Sequence, residues 1–193
     1  DSFLSGFKKE REFMARNNET MNALDTIQSL ESLRFEGKTV FCRVDFNVPL
    51  SEEGMISDDS RIKAALPTIK FLREKGAKVV LASHLGRPKG KIVPSLSLEP
   101  IGAYLAESLR AEVLFPESCI GRAATRVIKN ARDGDIILLE NLRFHPGEVS
   151  GDPEFAKELA SLADVYVDDA FGTCHREHAS IVGITEHFQD KAA

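Results

Sequence analysis

A three-layer α/β fold, a doubly wound (Rossmann-like) parallel sheet with helices on both faces, is the architecture this sequence predicts. Three observations predict it. Strand-like and helix-like segments alternate over nearly the whole length. The runs VVLA (79–82) and IILL (136–139) are wholly apolar, as in strands covered on both faces. The helical segments carry apolar residues every three or four positions, one face apiece to lay on a sheet. Right-handed crossovers between successive strands then make the sheet parallel.

The first twenty residues, DSFLSGFKKEREFMARNNET, stand apart from this pattern. Leu4, Phe7 and Met14 fall at helical spacing in a charged remainder, and Met21 reads as the start of a parent protein, with residues 1–20 an extension or added segment. Residues 21–193 read as one domain. Thr39 to Val44 is β-branched and apolar, a first strand, and the loop DFNVPLSEEGMISDD follows with its Pro and Gly punctuation. Asp58 or Asp59 is placed to cap a helix with Ile62, Ala65, Leu66, Ile69 and Leu72 on one side, ending at Gly76. A strand over 78–83 leads into the basic loop HLGRPKGK. A helix over 98–109 turns Ile101, Leu105 and Leu109 inward, a short strand spans 112–115, and Ser118 is a candidate cap for a helix reaching Lys129. The strand over 135–139 ends at Glu140. Pro153 suits the first turn of a helix with Phe155, Leu159 and Leu162 inward, and the last clear strand covers 164–167. Disorder is expected over 186–193, as near many chain ends.

Composition narrows the function. The chain has 193 residues, and its formal net charge of -5 argues against a phosphate-tracking nucleic-acid binder. No apolar stretch is long enough to span a membrane, and nothing at the start resembles a secretory signal. Cys42, Cys119 and Cys174 are odd in number, far apart and without a CxxC pair, which speaks for a reducing, cytoplasmic setting rather than a disulfide framework or structural zinc.

In a parallel sheet the loops after the strands gather on one edge, where open α/β proteins bind ligands. Those loops carry Arg43, Asp45 and Asn47; His84 and Arg87; Asn141 and Arg143; and His175, Arg176 and His178, with Arg61 beginning the helix that the first loop feeds. A single Arg after a strand is ordinarily a solvated ion-pair partner, but recurrence at four strand ends points to a shared pocket. Guanidinium forks pair bidentately with phosphate or carboxylate, so a small anion fits, while Asp45 and Asn47 suit a ligand hydroxyl. An Arg-rich cluster would repel a cation, so His175 and His178 are not read as metal ligands. GRPKG lacks the P-loop pattern, no GxGxxG occurs, and no Ser or Cys nucleophile is set with a base.

RVDFNVPL (43–50), DDSRIKAALPTI (58–69), SHLGRPKG (83–90), LLENLRFHPGE (138–148) and DDAFGTCHREHAS (168–180) closely resemble, in the same order, the N-terminal half of phosphoglycerate kinases. The resemblance implies transfer of a phosphoryl group between ATP and the carboxylate of 3-phosphoglycerate, a step of glycolysis. It implies that Asp45 holds the substrate 2-hydroxyl within a loop shared with Asn47, and that backbone at Phe46, Leu85 and Gly86 lines the pocket. It places His84, Arg87, Arg143 and Arg176 around the 3-phosphate with His175 adjoining, gives His178 a supporting hydrogen bond, and makes Arg61 the catalytic residue nearest the transferring group. The sequence departs from the family pattern at Asp168, commonly Asn, and Cys174, commonly Ala, changes expected to touch only local packing.

The chain ends at Ala193, about where the family's nucleotide-binding half would begin. The expectation is therefore a monomeric chain that binds 3-phosphoglycerate or 1,3-bisphosphoglycerate without turnover. Mg²⁺ with ATP or ADP would be held mainly by the other half, and no cofactor is expected on this chain alone. Neither nucleic acid nor membrane is an expected partner. The alternative is a non-catalytic anion-binding module whose N-terminal segment serves as an interaction helix.

Overall fold

Strand polarity and side-chain alternation together place the candidate site. A computed structural model describes residues 28–51, 53–170, 172 and 177–193, and the segment read as an extension lies outside them. Among the described residues the strands are β1 (Thr39–Val44), β2 (Lys78–Ala82), β3 (Val113–Leu114), β4 (Ile136–Leu138), β5 (Val165–Asp169) and β6 (Lys191–Ala192). They form one sheet in the order β3-β4-β2-β1-β5-β6, and every pairing is parallel. The helices are α1 (Ser60–Glu74), α2 (Glu99–Leu109), α3 (Gly121–Asn130), α4 (Pro146–Ser150) and α5 (Pro153–Ala160).

The period-2 alternation of the strands sorts the core into two layers. Val40, Cys42, Val44, Val79, Leu81, Ile136 and Leu138 pack with Ile62, Ile69 and Leu72 of α1 and Ile101 and Leu105 of α2. On the opposite face Phe41, Val80, Ile137 and Tyr166 pack with Ile128 of α3, Phe155 and Leu159 of α5, and Ile184 and Phe188 beyond. Each such large apolar side chain, once buried, contributes about 1.5–3 kcal/mol. Both faces of the sheet are therefore covered, which is why its strands read as continuous apolar runs.

Local signals hold with some corrections. Asp152 caps α5, its side chain accepting the Phe155 N–H, with Pro153 at the first helical position. Asp59 stands at the N-cap of α1 but makes no side-chain cap; it accepts from Tyr104 Oη at 2.7 Å and pairs with Lys63, while Asp58 accepts the Ser60 N–H. Ser118 is not a helix cap either, because α3 starts only at Gly121 and the Ser118 hydroxyl accepts the Ile120 N–H. The segment 186–193, expected to be disordered, instead supplies β6, which pairs with β5 through Tyr166 and Val167. Phe188 anchors it, buried against the Tyr166 ring at 5.8 Å between centroids.

Connectivity leaves a crevice at the carboxyl ends of β1 and β5. From β1 the chain moves toward β2, β3 and β4, then crosses back past β1 to β5 and β6, so the loops after β1 and β5 leave in opposite directions. Gly172 shows how close those loops come: a Cβ there would lie 3.5 Å from Asp45 Oδ2.

The turn between α4 and α5 is a tight point of this packing. Gly151 has φ +66°, and a Cβ on it would sit 2.8 Å from the Glu177 carbonyl oxygen. Gly151→Ala is expected to destabilise the fold by about 2–3 kcal/mol, combining left-handed strain with a clash against backbone. Urea unfolding monitored by circular dichroism reads this directly; an unchanged midpoint would refute the packing described for this turn.

Candidate functional site

Three loops meet at the carboxyl edge of the sheet, and each is tied to the next by side chains acting on backbone. After β1 the Asp45 carboxylate accepts the Asn47 N–H at 3.2 Å through Oδ1 and the Arg61 guanidinium at 2.7 Å through Oδ2. Arg61 is about half exposed, at 51% of its side chain, against 18% for Asp45. Such a pair adds little stability, but it fixes where a mobile guanidinium rests. Asn47 reaches onward: its Oδ1 accepts the Gly86 N–H at 2.9 Å. Ser83, at the end of β2, accepts the Phe46 N–H at 2.9 Å and so binds the first loop to the second.

The second loop is locked from the other side by the residues after β4. Asn141 accepts from the Leu85 and Arg143 N–H groups and donates to the Leu85 and Leu96 carbonyls, satisfying its amide completely. Arg143 donates from Nη1 to the Gly86 carbonyl at 2.8 Å. Glu140 accepts from the Leu98 N–H and Ser97 Oγ, which anchors the start of α2 to the same strand end. Gly86 takes up the left-handed conformation at φ +62° that this double attachment requires. A cleft of about 690 Å³ opens beside the loop, lined by Arg87, Lys89, Arg143, Pro146, Val149 and His178 among others.

Beneath the site lies a buried polar network. Arg43 is fully buried rather than pocket-lining as the strand-end pattern suggests. Its Nε donates to Ser180 Oγ at 2.9 Å, Nη1 donates to the Val44 carbonyl, and Nη2 meets His84 Nδ1 at 3.1 Å. Ser180 in turn donates to Glu148 Oε1 at 2.7 Å through its hydroxyl and to Oε2 at 3.1 Å through its N–H. His178 Nδ1 stands 3.7 Å from Glu148 Oε1.

The predicted site residues thus fall into groups. Asp45, Asn47, Arg61, Gly86 and Arg143 are joined by direct bonds, and Arg87 lines the adjoining cleft. The side chains of Phe46 and Leu85 are buried, and the backbone N–H groups of Phe46, Leu85 and Gly86 are engaged by Ser83, Asn141 and Asn47. His84 is 2% exposed and turns one ring nitrogen to Arg43. His175 and Arg176 lie outside the described residues, as does Cys174. Ser83, Glu140, Glu148 and Ser180 are not singled out as functional by the sequence, although all four lie inside the long motifs.

A family model described as phosphoglycerate kinase matches residues 30–193. The chain belongs to the phosphoglycerate kinase family. It is 54% identical over 171 residues to a phosphoglycerate kinase of Picosynechococcus sp., covering 89% of this chain and 43% of that protein. A second relative, the phosphoglycerate kinase of Anaeromyxobacter dehalogenans, is 51% identical over 169 residues, covering 86% of this chain and 43% of its own length. Among solved structures, phosphoglycerate kinase from Coxiella burnetii superposes with a TM-score of 0.77 at 37% identity, covering 86% of this chain and 41% of that one. The Pyrococcus horikoshii enzyme gives 0.76 at 36%, covering 86% and 42%. The chain thus spans somewhat under half the length of the relatives it matches.

One departure from the phosphoglycerate kinase pattern is electrostatic rather than a matter of packing. Asp168 accepts the Ala170 N–H at 2.9 Å, a bond the Asn commonly found there could also make. Its charge, however, stands next to Asp169, whose carboxyl is pushed up to about 6. Burial is the main cause, the Thr68 hydroxyl opposes it, and the Asp168 charge adds to it. Burial, with help from both carboxylates, also pushes the Cys42 thiol well above its usual range. Cys42 and Cys119 are both buried free thiols.

Asp169 binds its proton more tightly folded than unfolded, so stability falls as pH rises from about 3.8 toward 6. Full strength would be about 3 kcal/mol, but this half-buried group is screened by solvent, and about 1 kcal/mol is expected. Asp169→Asn should raise the unfolding free energy obtained from urea titration at pH 7 by that amount and flatten the loss between pH 4 and 6. Asp168→Asn should move the Asp169 titration toward the ordinary carboxylate range, as read by NMR; an unmoved titration would remove the like-charge coupling.

Proposed function

We propose that this chain is the 3-phosphoglycerate-binding part of a phosphoglycerate kinase, acting in the cytoplasm in glycolysis: 1,3-bisphosphoglycerate and ADP exchange a phosphoryl group to give 3-phosphoglycerate and ATP. The observation that carries this reading is the coupled cluster of Asp45, Asn47 and Arg61 with Gly86 and Arg143 at one strand edge. It offers a hydroxyl acceptor and converging guanidinium groups, the pair of features a phosphorylated hydroxy-acid needs.

Asp45 already serves Asn47 and Arg61, yet an ionised carboxylate has about four acceptor positions, so a substrate hydroxyl can be added without displacing either. Arg87 and Arg143 are assigned to the 3-phosphate, with His84, His175 and Arg176. Arg143 keeps Nη1 on the Gly86 carbonyl, which aims the remainder of its fork. In the reverse direction, from ATP to 3-phosphoglycerate, the acceptor of the phosphoryl group is a carboxylate, ionised at neutral pH, so no general base has to activate it. Positive charge where two anions approach is the main requirement, because charge spreads over the equatorial oxygens in the transition state. Arg61, exposed at the mouth and tethered by a single bond to Asp45, is assigned that role.

Nucleotide and Mg²⁺ are assigned to the part of the family's length that this chain does not span. Among the described residues no group of three or more His, Cys, Asp or Glu is placed to hold a metal. Among the described residues no helix is long and apolar enough to cross a membrane.

Calorimetry of the chain with 3-phosphoglycerate is expected to show specific binding without turnover, and adding the part of the family's length that this chain does not span, as a separate chain, should give turnover. In that complemented enzyme Arg61→Ala should lower kcat by about 10²-fold or more with a small effect on affinity. Arg87→Ala should weaken binding by about tenfold, the loss of one charge-assisted contact. Equal effects of both on kcat alone would contradict this division. Binding that persists while complementation gives no turnover would favour a non-catalytic anion-binding module; no binding at moderate salt would defeat both readings.

A further inference from the structure

The buried network under the site dictates where its protons lie. A guanidinium has five donors and no acceptor, so every partner of Arg43 must accept. Ser180 Oγ therefore accepts from Arg43 Nε, and its single hydroxyl proton is left for Glu148 Oε1, 2.7 Å away. By the same rule His84 Nδ1, 3.1 Å from Arg43 Nη2, accepts and carries no proton. The ring of His84 is then neutral, with its proton on Nε2.

We propose that Ser180 and Glu148 are positioning residues for the anion site, acting through Arg43 to hold His84 as an Nε2–H donor. Glu148 is fully buried, as are Arg43 and Ser180. An isolated buried guanidinium is unfavourable, and one that loses part of its partners seeks others by rotating or by admitting water. Glu148 supplies the countercharge, and Ser180 transmits it, because Glu148 bonds Ser180 and Ser180 bonds Arg43. With that countercharge in place the guanidinium stays in plane against Val44 and His84, and whatever meets the other edge of the imidazole, a bound phosphate included, meets an N–H. Without the Ser180 hydroxyl, Arg43 Nε and Glu148 Oε1 both lose a partner, and the guanidinium is no longer held to one orientation.

The same carboxylate also faces the other flank. Glu148 Oε1 is 3.7 Å from His178 Nδ1, and the Glu148 carbonyl accepts the Ala179 N–H at 3.0 Å. His178 lines the cleft that Arg87 and Arg143 share. A single residue of α4 therefore faces both histidines, reaching His84 through three successive hydrogen bonds and approaching His178 to within 3.7 Å. This makes Glu148 distinct from an ordinary core residue, whose loss would lower stability without selecting among ring tautomers.

The inference rests on the substrate-binding reading for its consequence but not for its geometry, and the two are tested separately. Long-range ¹H–¹⁵N correlation spectra of the wild-type chain at pH 7 should show His84 as the Nε2–H tautomer; an Nδ1–H tautomer or an imidazolium overturns the proposal without any variant. Ser180→Ala, which removes one oxygen, should bring His84 into tautomer exchange and weaken 3-phosphoglycerate binding by about tenfold, and Ser180→Thr should restore both to within about threefold. Glu148→Gln should disturb His84 in the same direction. Unchanged His84 nitrogen shifts in a folded Ser180→Ala variant would refute positioning, even if its stability fell. Failure of the wild-type chain to bind 3-phosphoglycerate would defeat the functional reading and leave the tautomer result to decide the geometry on its own.

Discussion

A charge with no solvent access sits in the middle of the sheet, at Arg43 on the central strand β1. Desolvating a guanidinium costs several kcal/mol, and the interior returns that only if the donors are met. The chain meets them with Ser180, the Val44 carbonyl and His84, and sets Glu148 behind Ser180 as the countercharge. These partners come from the loop after β2, from α4 and from the stretch after β5. One buried cation thus draws three separated segments to the carboxyl end of β1. The loops that carry the candidate site are held from below by a polar network and from the side by Asn141, Asn47 and Ser83. Apolar packing covers the sheet, but it does not orient these loops; hydrogen bonds with fixed donors and acceptors do.

Much of this was legible because burial on both faces leaves a clear trace. Val79 to Leu81 and Ile136 to Leu138 are apolar because α1 and α2 cover alternate residues and α3 and α5 cover the others. Strand polarity followed from the alternation with helices, and from polarity came the edge on which Asp45, Asn47, Arg61, Gly86 and Arg143 meet. The short pieces were not legible. Lys191–Ala192 has too few residues to show a period, and what makes it a strand is Phe188 docking on Tyr166, a contact across 22 positions of sequence. Arg43 looked like a pocket residue since arginines are rarely buried; only the three-dimensional placement of Glu148 and Ser180 makes its burial tolerable. Asp59 and Ser118 had the right chemistry for caps, but tertiary partners or a later helix start took precedence.

Asp168 shows how a substitution of nearly equal shape can act at a distance. Its carboxylate preserves the bond to the Ala170 N–H, so the backbone at the end of β5 need not move. The added charge nevertheless reaches Asp169 and Cys42, on the same strand and on its neighbour, because burial leaves little water between them to screen it. The register explains the reach: Asp168 lies beside Arg43 and Asp169 beside Val44 in the β1–β5 pairing.

Under the proposed function, the contrast between Arg43 and Arg61 divides binding from reaction on one edge. Arg43 has its donors committed and no exposure, so it contributes a fixed orientation to its neighbours and no adaptability. Arg61 has half its side chain in solvent and a single tether to Asp45. A guanidinium committed like Arg43 could not follow a group that changes position and charge distribution during transfer, and one as loose as Arg61 could not define a binding pose. Fixed groups deep in the edge and a tethered one at its mouth divide the work by burial. The tether also makes the division self-consistent: the carboxylate that restrains Arg61 is the one assigned to the substrate hydroxyl, so occupancy of the pose and readiness of the mobile charge are set by the same residue.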